Sequence, residues 1–194
     1  MSHDHLTFER RTLLVATAAG LMLPRLAVPK KPETPPRKAP RGRAGEFDFL
    51  AGSWQIQHRQ LQKDGKTWDE FPGEATCWTV LGGVGSIEEL RIPARNFAGL
   101  GIRLLDLENE LWSDFWVNAR SGVLGAAGLT GGFENGVGTF TAEETEGGKT
   151  IIARGVWDQI TPTGCRWHQA ISHDGGKTWE PNWFMTWTRS GAPR

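Results

Sequence analysis

Between Ser53 and Thr188, turn chemistry interrupts the chain roughly every eight to twelve residues, and no stretch keeps a helical apolar period beyond about two turns. Asp64-Gly65-Lys66, Gly82-Gly83-Val84-Gly85, Glu108-Asn109-Glu110, Glu146-Gly147-Gly148 and Asp174-Gly175-Gly176 place glycine, asparagine or aspartate where the backbone reverses. Between the turns, residues alternate with the period of a strand. Trp54, Ile56 and His58 oppose Gln55, Gln57 and Arg59. The pattern predicts about nine or ten short antiparallel strands. Among them are Thr67–Phe71 and Ala75–Leu81 as separate strands, and a weaker one over Gly122–Thr130. A sheet of that many strands removes its edges by closing into a barrel or doubling into a sandwich.

The globular domain is expected over residues 46–194. Residues 28–45 are rich in proline and basic side chains and too poor in apolar ones to fold, so they read as a linker. Residues 1–27 read as a signal segment. Arg10-Arg11 precedes an apolar run from Leu13 to Leu23, which is too short to span a bilayer. The twin arginine followed by Thr-Leu-Leu resembles the twin-arginine signal of proteins exported in the folded state. It implies a periplasmic or secreted bacterial protein, the twin-arginine export machinery as partner, and a mature domain without stable membrane insertion. Charge is divided along the chain. Residues 46–194 carry thirteen Lys/Arg against nineteen Asp/Glu, an acidic balance that disfavours nucleic acid. Cys77 and Cys165 are the only cysteines. Export would permit a disulfide, and two buried thiols are the alternative.

Trp167 to Arg189 is the densest segment, with Trp167, Trp179, Trp183 and Trp187 of the ten tryptophans around one Asp-Gly-Gly turn. Ser172-x-Asp174-x-Gly176-x-Thr178-Trp179 matches the Asp-box of sialidase propellers, where Asp and Ser bond turn amides and Trp packs beneath the hairpin. A propeller needs several four-stranded blades, and this domain is too short for most of them. Asp174, Gly176 and Trp179 therefore read as a structural clamp on a tight turn.

Gly52-Ser53-Trp54 at the first strand, with Arg189 in the last, resembles the lipocalin and calycin superfamily. There the arginine packs across the tryptophan and seals one end of the barrel. Phe47-Asp48-Phe49-Leu50-x-Gly52-x-Trp54, the Trp112-x-x-x-Trp116 strand, the Gly131–Gly136 turn and the closing Ser-x-Asp-Gly-Gly-Lys-Thr-Trp motif also resemble an uncharacterised bacterial family of exported, lipocalin-like proteins. The resemblance covers about residues 46–189. It implies an all-β fold, an antiparallel lipocalin-like (calycin) barrel of about nine to ten strands, and it assigns structural roles to Gly52, Trp54 and Arg189.

Polar side chains on apolar strand faces are the candidates for a ligand site. His58 shares its face with Trp54 and Ile56. Asp114 shares its face with Trp112 and Trp116, while Phe115, Val117 and Ala119 form the other. Either face could be the inner one, and a carboxylate among indoles would have a raised pKa. Glu88 and Glu89 point to opposite faces, so one of them enters the barrel. Arg154 alternates with Ile152 and Val156, and Gln169 with Trp167 and Ile171. His58, Glu88, Asp114, Trp116, Arg154, Trp167 and Gln169 are thus the expected lining of a mostly aromatic cavity, each with a rim position as its alternative. Such a cavity suits a small hydrophobic or aromatic ligand.

No metal-ligand spacing, phosphate loop or Gly-x-Ser-x-Gly occurs, so no metal or other cofactor is expected. A haem-binding barrel would require a histidine pointing into the pocket. The leading reading is a ligand-binding module. The second is an isomerase, cyclase or hydrolase on the same barrel, working through His58 or Asp114. The third is an interaction domain without a cavity, marked by an exposed tryptophan patch.

Overall fold

The turn signals separate ten strands: β1 (Gly52–Leu61), β2 (Trp68–Val80), β3 (Gly85–Ile92), β4 (Phe97–Asp106), β5 (Leu111–Asn118), β6 (Leu129–Glu134), β7 (Val137–Glu146), β8 (Lys149–Asp158), β9 (Gly164–Ser172) and β10 (Glu180–Arg189). The computed structural model describes residues 39–125 and 128–191. The expected signal segment and residues 28–38 of the expected linker lie outside the described residues. Each strand pairs antiparallel with its sequence neighbours, and β1 also pairs with β10, so the sheet closes as an up-and-down barrel. The closing register sets Trp54 opposite Arg189, Ile56 opposite Trp187 and His58 opposite Met185. Buried and exposed residues alternate along β1, as a half-buried strand requires.

Two strand expectations are corrected. Thr67–Phe71 and Ala75–Leu81 are one strand, because β2 continues through Pro72-Gly73. Proline is tolerated there because that half of β2 pairs with β1 alone; the register with β3 begins at Glu74. Gly73 is required by close approach: a Cβ at this position would lie 2.4 Å from His58 Nε2. Of the expected strand Gly122–Thr130, residues 122–125 and 128 are loop, and among the described residues the next strand begins only at Leu129. As a result β5 and β6 share a short seam, Trp112–Gly131, Ser113–Thr130 and Asp114–Leu129. Among the described residues that seam ends at the Asp114–Leu129 pair, while β5 itself runs on to Asn118.

One end of the barrel is plugged by aromatic rings. A 3-10 turn over Asp48–Leu50 crosses it, with Phe47 and Leu50 buried beneath. The Phe47 ring meets Trp112 and Phe133 edge-on, each at 4.9 Å, and Phe49 meets Trp157 at 5.9 Å. Fully burying a side chain of this size stabilises by about 1.5–3 kcal/mol. Arg189 closes the plug. Its guanidinium lies 4.2 Å from the Trp54 ring centroid and donates to the carbonyls of Ala51 (2.6 Å), Phe49 (2.7 Å) and Pro162 (2.9 Å). Trp54 Nε1 donates to Leu50 O at 2.7 Å. Gly52 has φ +125°, and a Cβ there would lie 2.7 Å from Arg189 Nη1, so only glycine fits under the arginine. Residues just before the domain also attach to the barrel: Gly42 N donates to Glu110 O and Gly45 N to Gly83 O.

Candidate functional site

Away from the plug, the interior holds a cavity of about 320 Å³. Three neighbouring strands each turn one charged side chain into it: Glu88 from β3, Arg103 from β4 and Asp114 from β5. The registers Ser86–Arg103, Glu88–Gly101 and Arg103–Asp114 bring them together, with Gly101 leaving the space. Arg103 Nη2 donates to Glu88 Oε2 at 2.5 Å, and Arg103 Nε stands 3.4 Å from Asp114 Oδ1. The Arg103 and Glu88 side chains are only 5% and 3% exposed, and Asp114 is 18% exposed, which places the group at the cavity floor.

Burial pushes the Asp114 carboxyl up from 3.8 to about 6; Arg103 opposes this and Glu88 adds to it. Burial also works against the Arg103 charge, but Asp114 and Glu88 outweigh it and hold the guanidinium above its ordinary range. A buried charge persists only when it is paired in this way.

Indoles form the walls. Trp157, Trp167, Trp183 and Trp187 line the cavity with Met185, and Gln169 adds an amide. The mouth lies at the short β5–β6 seam, among Phe115, Trp116, Gly128, Leu129 and Glu144. Trp116 is 43% exposed there. Of the two faces of β5, the one carrying Trp112, Asp114 and Trp116 is therefore the inner one, and Phe115 of the other face also borders the cavity.

Glu88, Asp114, Trp116, Trp167 and Gln169 thus meet in one cavity. His58 and Arg154 do not join them. His58 is fully buried inside the barrel, stacked on Phe71 at 4.7 Å, but Trp183 stands between it and the cavity. Trp183 Nε1 donates to His58 Nδ1 at 3.2 Å, so a neutral ring carries its proton on Nε2, which abuts Gly73. Burial, and then the Arg95 charge, lower the His58 pKa from 6.5 to about 4. With one nitrogen bonded and the other shut against backbone, His58 does not fit the role of a haem ligand. Arg154 alternates against Trp157 and faces outward, its guanidinium 3.8 Å from the Trp179 ring centroid. It braces the hairpin.

That hairpin is a dense polar clamp. Asp174 accepts from Ser172 Oγ, Lys177 N, Thr178 N and Thr178 Oγ1, all at 2.7–3.0 Å, and Ser172 Oγ accepts from Gly176 N at 2.8 Å. Trp179 Nε1 donates to Gly176 O. The Thr178 bonds, chiefly, lower Asp174 to about 2. Asp64 closes the β1–β2 turn with the same chemistry on Lys66 and Thr67. Cys77 and Cys165 are free, buried thiols whose pKa values burial raises, Cys165 to about 12.

Sequence reasoning missed Arg103, together with Trp157, Trp183 and Trp187 as cavity walls. The available signal was Gly99-x-Gly101-x-Arg103, two residues without side chains on the face of one large cation. The competing series Leu100, Ile102 and Leu104 reads as the core face, yet it lies outside, with Leu104 41% exposed.

The chain matches no protein-family model and no curated protein. Solved structures similar to it include the following two. A redesigned β-barrel has 11% identity and a TM-score of 0.42, over 77% of this chain and 99% of that one. A DUF3598-family protein of unknown function from Nostoc punctiforme has 11% identity and a TM-score of 0.43, over 77% of this chain; the match spans 51% of that protein's length.

Proposed function

We propose that this chain is an exported, lipocalin-like barrel that binds one small, mostly apolar or aromatic molecule. The observation that carries this reading is the cavity of about 320 Å³, walled by four indoles and floored by a charged group, with a mouth beside the β5–β6 seam. Small-molecule sites have this character, a mainly apolar enclosure with a few convergent polar groups. Native mass spectrometry of protein taken from its own host's envelope tests it. The expected result is a mass excess that denaturation releases. Protein recovered without ligand, together with no response of the cavity tryptophans to aromatic fragments, would overturn it. Export rests on Arg10-Arg11 ahead of Leu13–Leu23. Replacing both arginines by lysine should hold the protein in the cytoplasm, and a variant that still reaches the envelope would refute export.

Asp114 favours a second reading, an isomerase, cyclase or hydrolase. It is a cavity-lining carboxyl with a pKa near 6, beside a guanidinium able to stabilise a developing negative charge. Under this reading turnover rises with pH through about 6 as Asp114 ionises to act as a base. Asp114→Asn should abolish turnover while ligand is still bound. Unchanged turnover in Asp114→Asn would exclude Asp114 as the base.

A further inference from the structure

We infer that the ligand of this cavity is an organic cation, an ammonium or quaternary ammonium nitrogen on an apolar body, held by Asp114 and the accessible indoles. This inference rests on the ligand-binding reading above. Charge is its first support. Among the described residues, the cavity lining carries three carboxylates, Glu88, Asp114 and Glu144, against the single guanidinium of Arg103, and it holds no lysine or histidine. Arg103 is shared: Nη2 bonds Glu88 at 2.5 Å and Nε stands 3.4 Å from Asp114. Glu144 lies on the same face of β7 as the buried Phe140 and forms no ion pair among the described residues. The surplus charge of the lining is therefore negative, which draws cations into an apolar enclosure and repels anions. Within the floor group, Asp114 is the member that the cavity reaches, with a side chain 18% exposed against 5% for Arg103 and 3% for Glu88.

The walls are the second support. Trp116, Trp167 and Trp183 are the lining indoles that stay partly accessible. The Trp167 and Trp183 rings stand at 84° with centroids 6.0 Å apart, so they form a corner instead of a stack. A Cβ at Gly155 would lie 3.1 Å from Trp167 Nε1 and 3.6 Å from Leu129 Cδ2, and Leu129 is the register partner of Asp114. The corner thus stands at the seam that carries the carboxylate. An indole face attracts a cation through its quadrupole, most strongly where water is excluded. Carboxylate and indoles together select a cation whose substituents are apolar: a small hydrated ion gains little from the rings, and a neutral ligand leaves the Asp114 charge uncompensated.

The test compares three probes that share a phenyl ring, on the full chain at about pH 8 where Asp114 is ionised, by ligand-observed NMR titration: benzyltrimethylammonium, its neutral isostere neopentylbenzene, and phenylacetate. The cation should bind about tenfold tighter than the isostere, and phenylacetate weakest. Asp114→Asn should weaken the cation about tenfold and leave the isostere unchanged. Glu144→Gln, at the exposed mouth, should weaken the cation only about twofold. Equal binding of cation and isostere to the unaltered protein, tightest binding of phenylacetate, or an unchanged cation affinity in a folded Asp114→Asn protein overturns this inference and leaves the cavity reading intact. Failure of all three probes to bind overturns both. The comparison on the unaltered protein stands even if a variant fails to fold.

Discussion

Asp114→Asn should stabilise the protein at neutral and alkaline pH, although it removes one partner of a buried arginine. The folded-state pKa of Asp114 is raised, from 3.8 to about 6, because burial opposes its charge more strongly than Arg103 favours it. For an acid raised in this way, the stabilising contribution is fully present below 3.8 and is lost as pH rises through about 6. Above that point the folded protein holds a carboxylate that costs about 3 kcal/mol relative to its neutral form. Asparagine approximates the neutral form in size and shape. It keeps Arg103 paired with Glu88, as the protonated acid does. The variant should therefore match the parent near pH 3 and exceed it by about 3 kcal/mol near pH 8, a rise of roughly 6–12 °C in Tm for a domain of this size. Urea unfolding of both proteins across this pH range measures the difference directly. Equal stability at every pH would show that Asp114 is not desolvated. A loss of stability at pH 8 would refute this, showing that the attraction of Asp114 to Arg103 outweighs burial.

Arg189→Ala should cost about 3 kcal/mol in denaturant unfolding, because it leaves the carbonyls of Phe49, Ala51 and Pro162 without their donor and uncovers Trp54; a loss within error of zero would remove its role as a seal. His58 should stay neutral down to a pH near 4, with its ring NMR signals flat above about pH 5. Its lowered pKa supplies stability that is present above 6.5 and lost as pH falls through about 4, so His58→Gln should flatten that limb of the unfolding profile. Asp174 is the opposite ionic type with the same direction of shift: its contribution is present above 3.8 and lost as pH falls through about 2, and Asp174→Asn should remove that acid limb while speeding amide exchange at Lys177 and Thr178. A thiol reagent should find neither cysteine in the native protein and both after unfolding under non-reducing conditions; failure to find both in the unfolded chain would show that they are oxidised.

What could be read from the sequence was set by short-range rules. The Asp174 clamp depends on side chains bonding amides two to four residues away, so its spacing alone specifies it. Turn spacing gives about nine or ten antiparallel strands that close as a barrel or double into a sandwich, and the resemblance carried by Gly52, Trp54 and Arg189 implies the barrel. Alternation named Glu88, Asp114, Trp116, Trp167 and Gln169 as candidates while leaving open the inner face of β5 and the choice between Glu88 and Glu89, and all five line the cavity. It put Arg154 on the wrong face of β8, and the Leu100, Ile102, Leu104 series of β4 misleads in the same way, for one physical cause. Alternation assumes that the more aliphatic face of a strand is the inner one. Where indoles and an arginine fill the interior, several of the strand positions facing them are glycine or alanine. A Cβ at Gly101 would lie 3.2 Å from Arg103 and 3.3 Å from Glu88, and one at Gly155 would lie 3.1 Å from the Trp167 indole nitrogen. The inner face of β4 is therefore Gly99, Gly101, Arg103 and Leu105, and that of β8 is Ala153, Gly155 and Trp157, while Leu100, Ile102, Ile152 and Val156 turn outward. Arg154 follows them, because it sits on the aliphatic face that the pattern mistook for the core. In a barrel that keeps a cavity, glycine opposite a large polar or aromatic side chain marks the inside more reliably than a run of leucine and isoleucine, because close packing is set by volume before it is set by hydrophobicity.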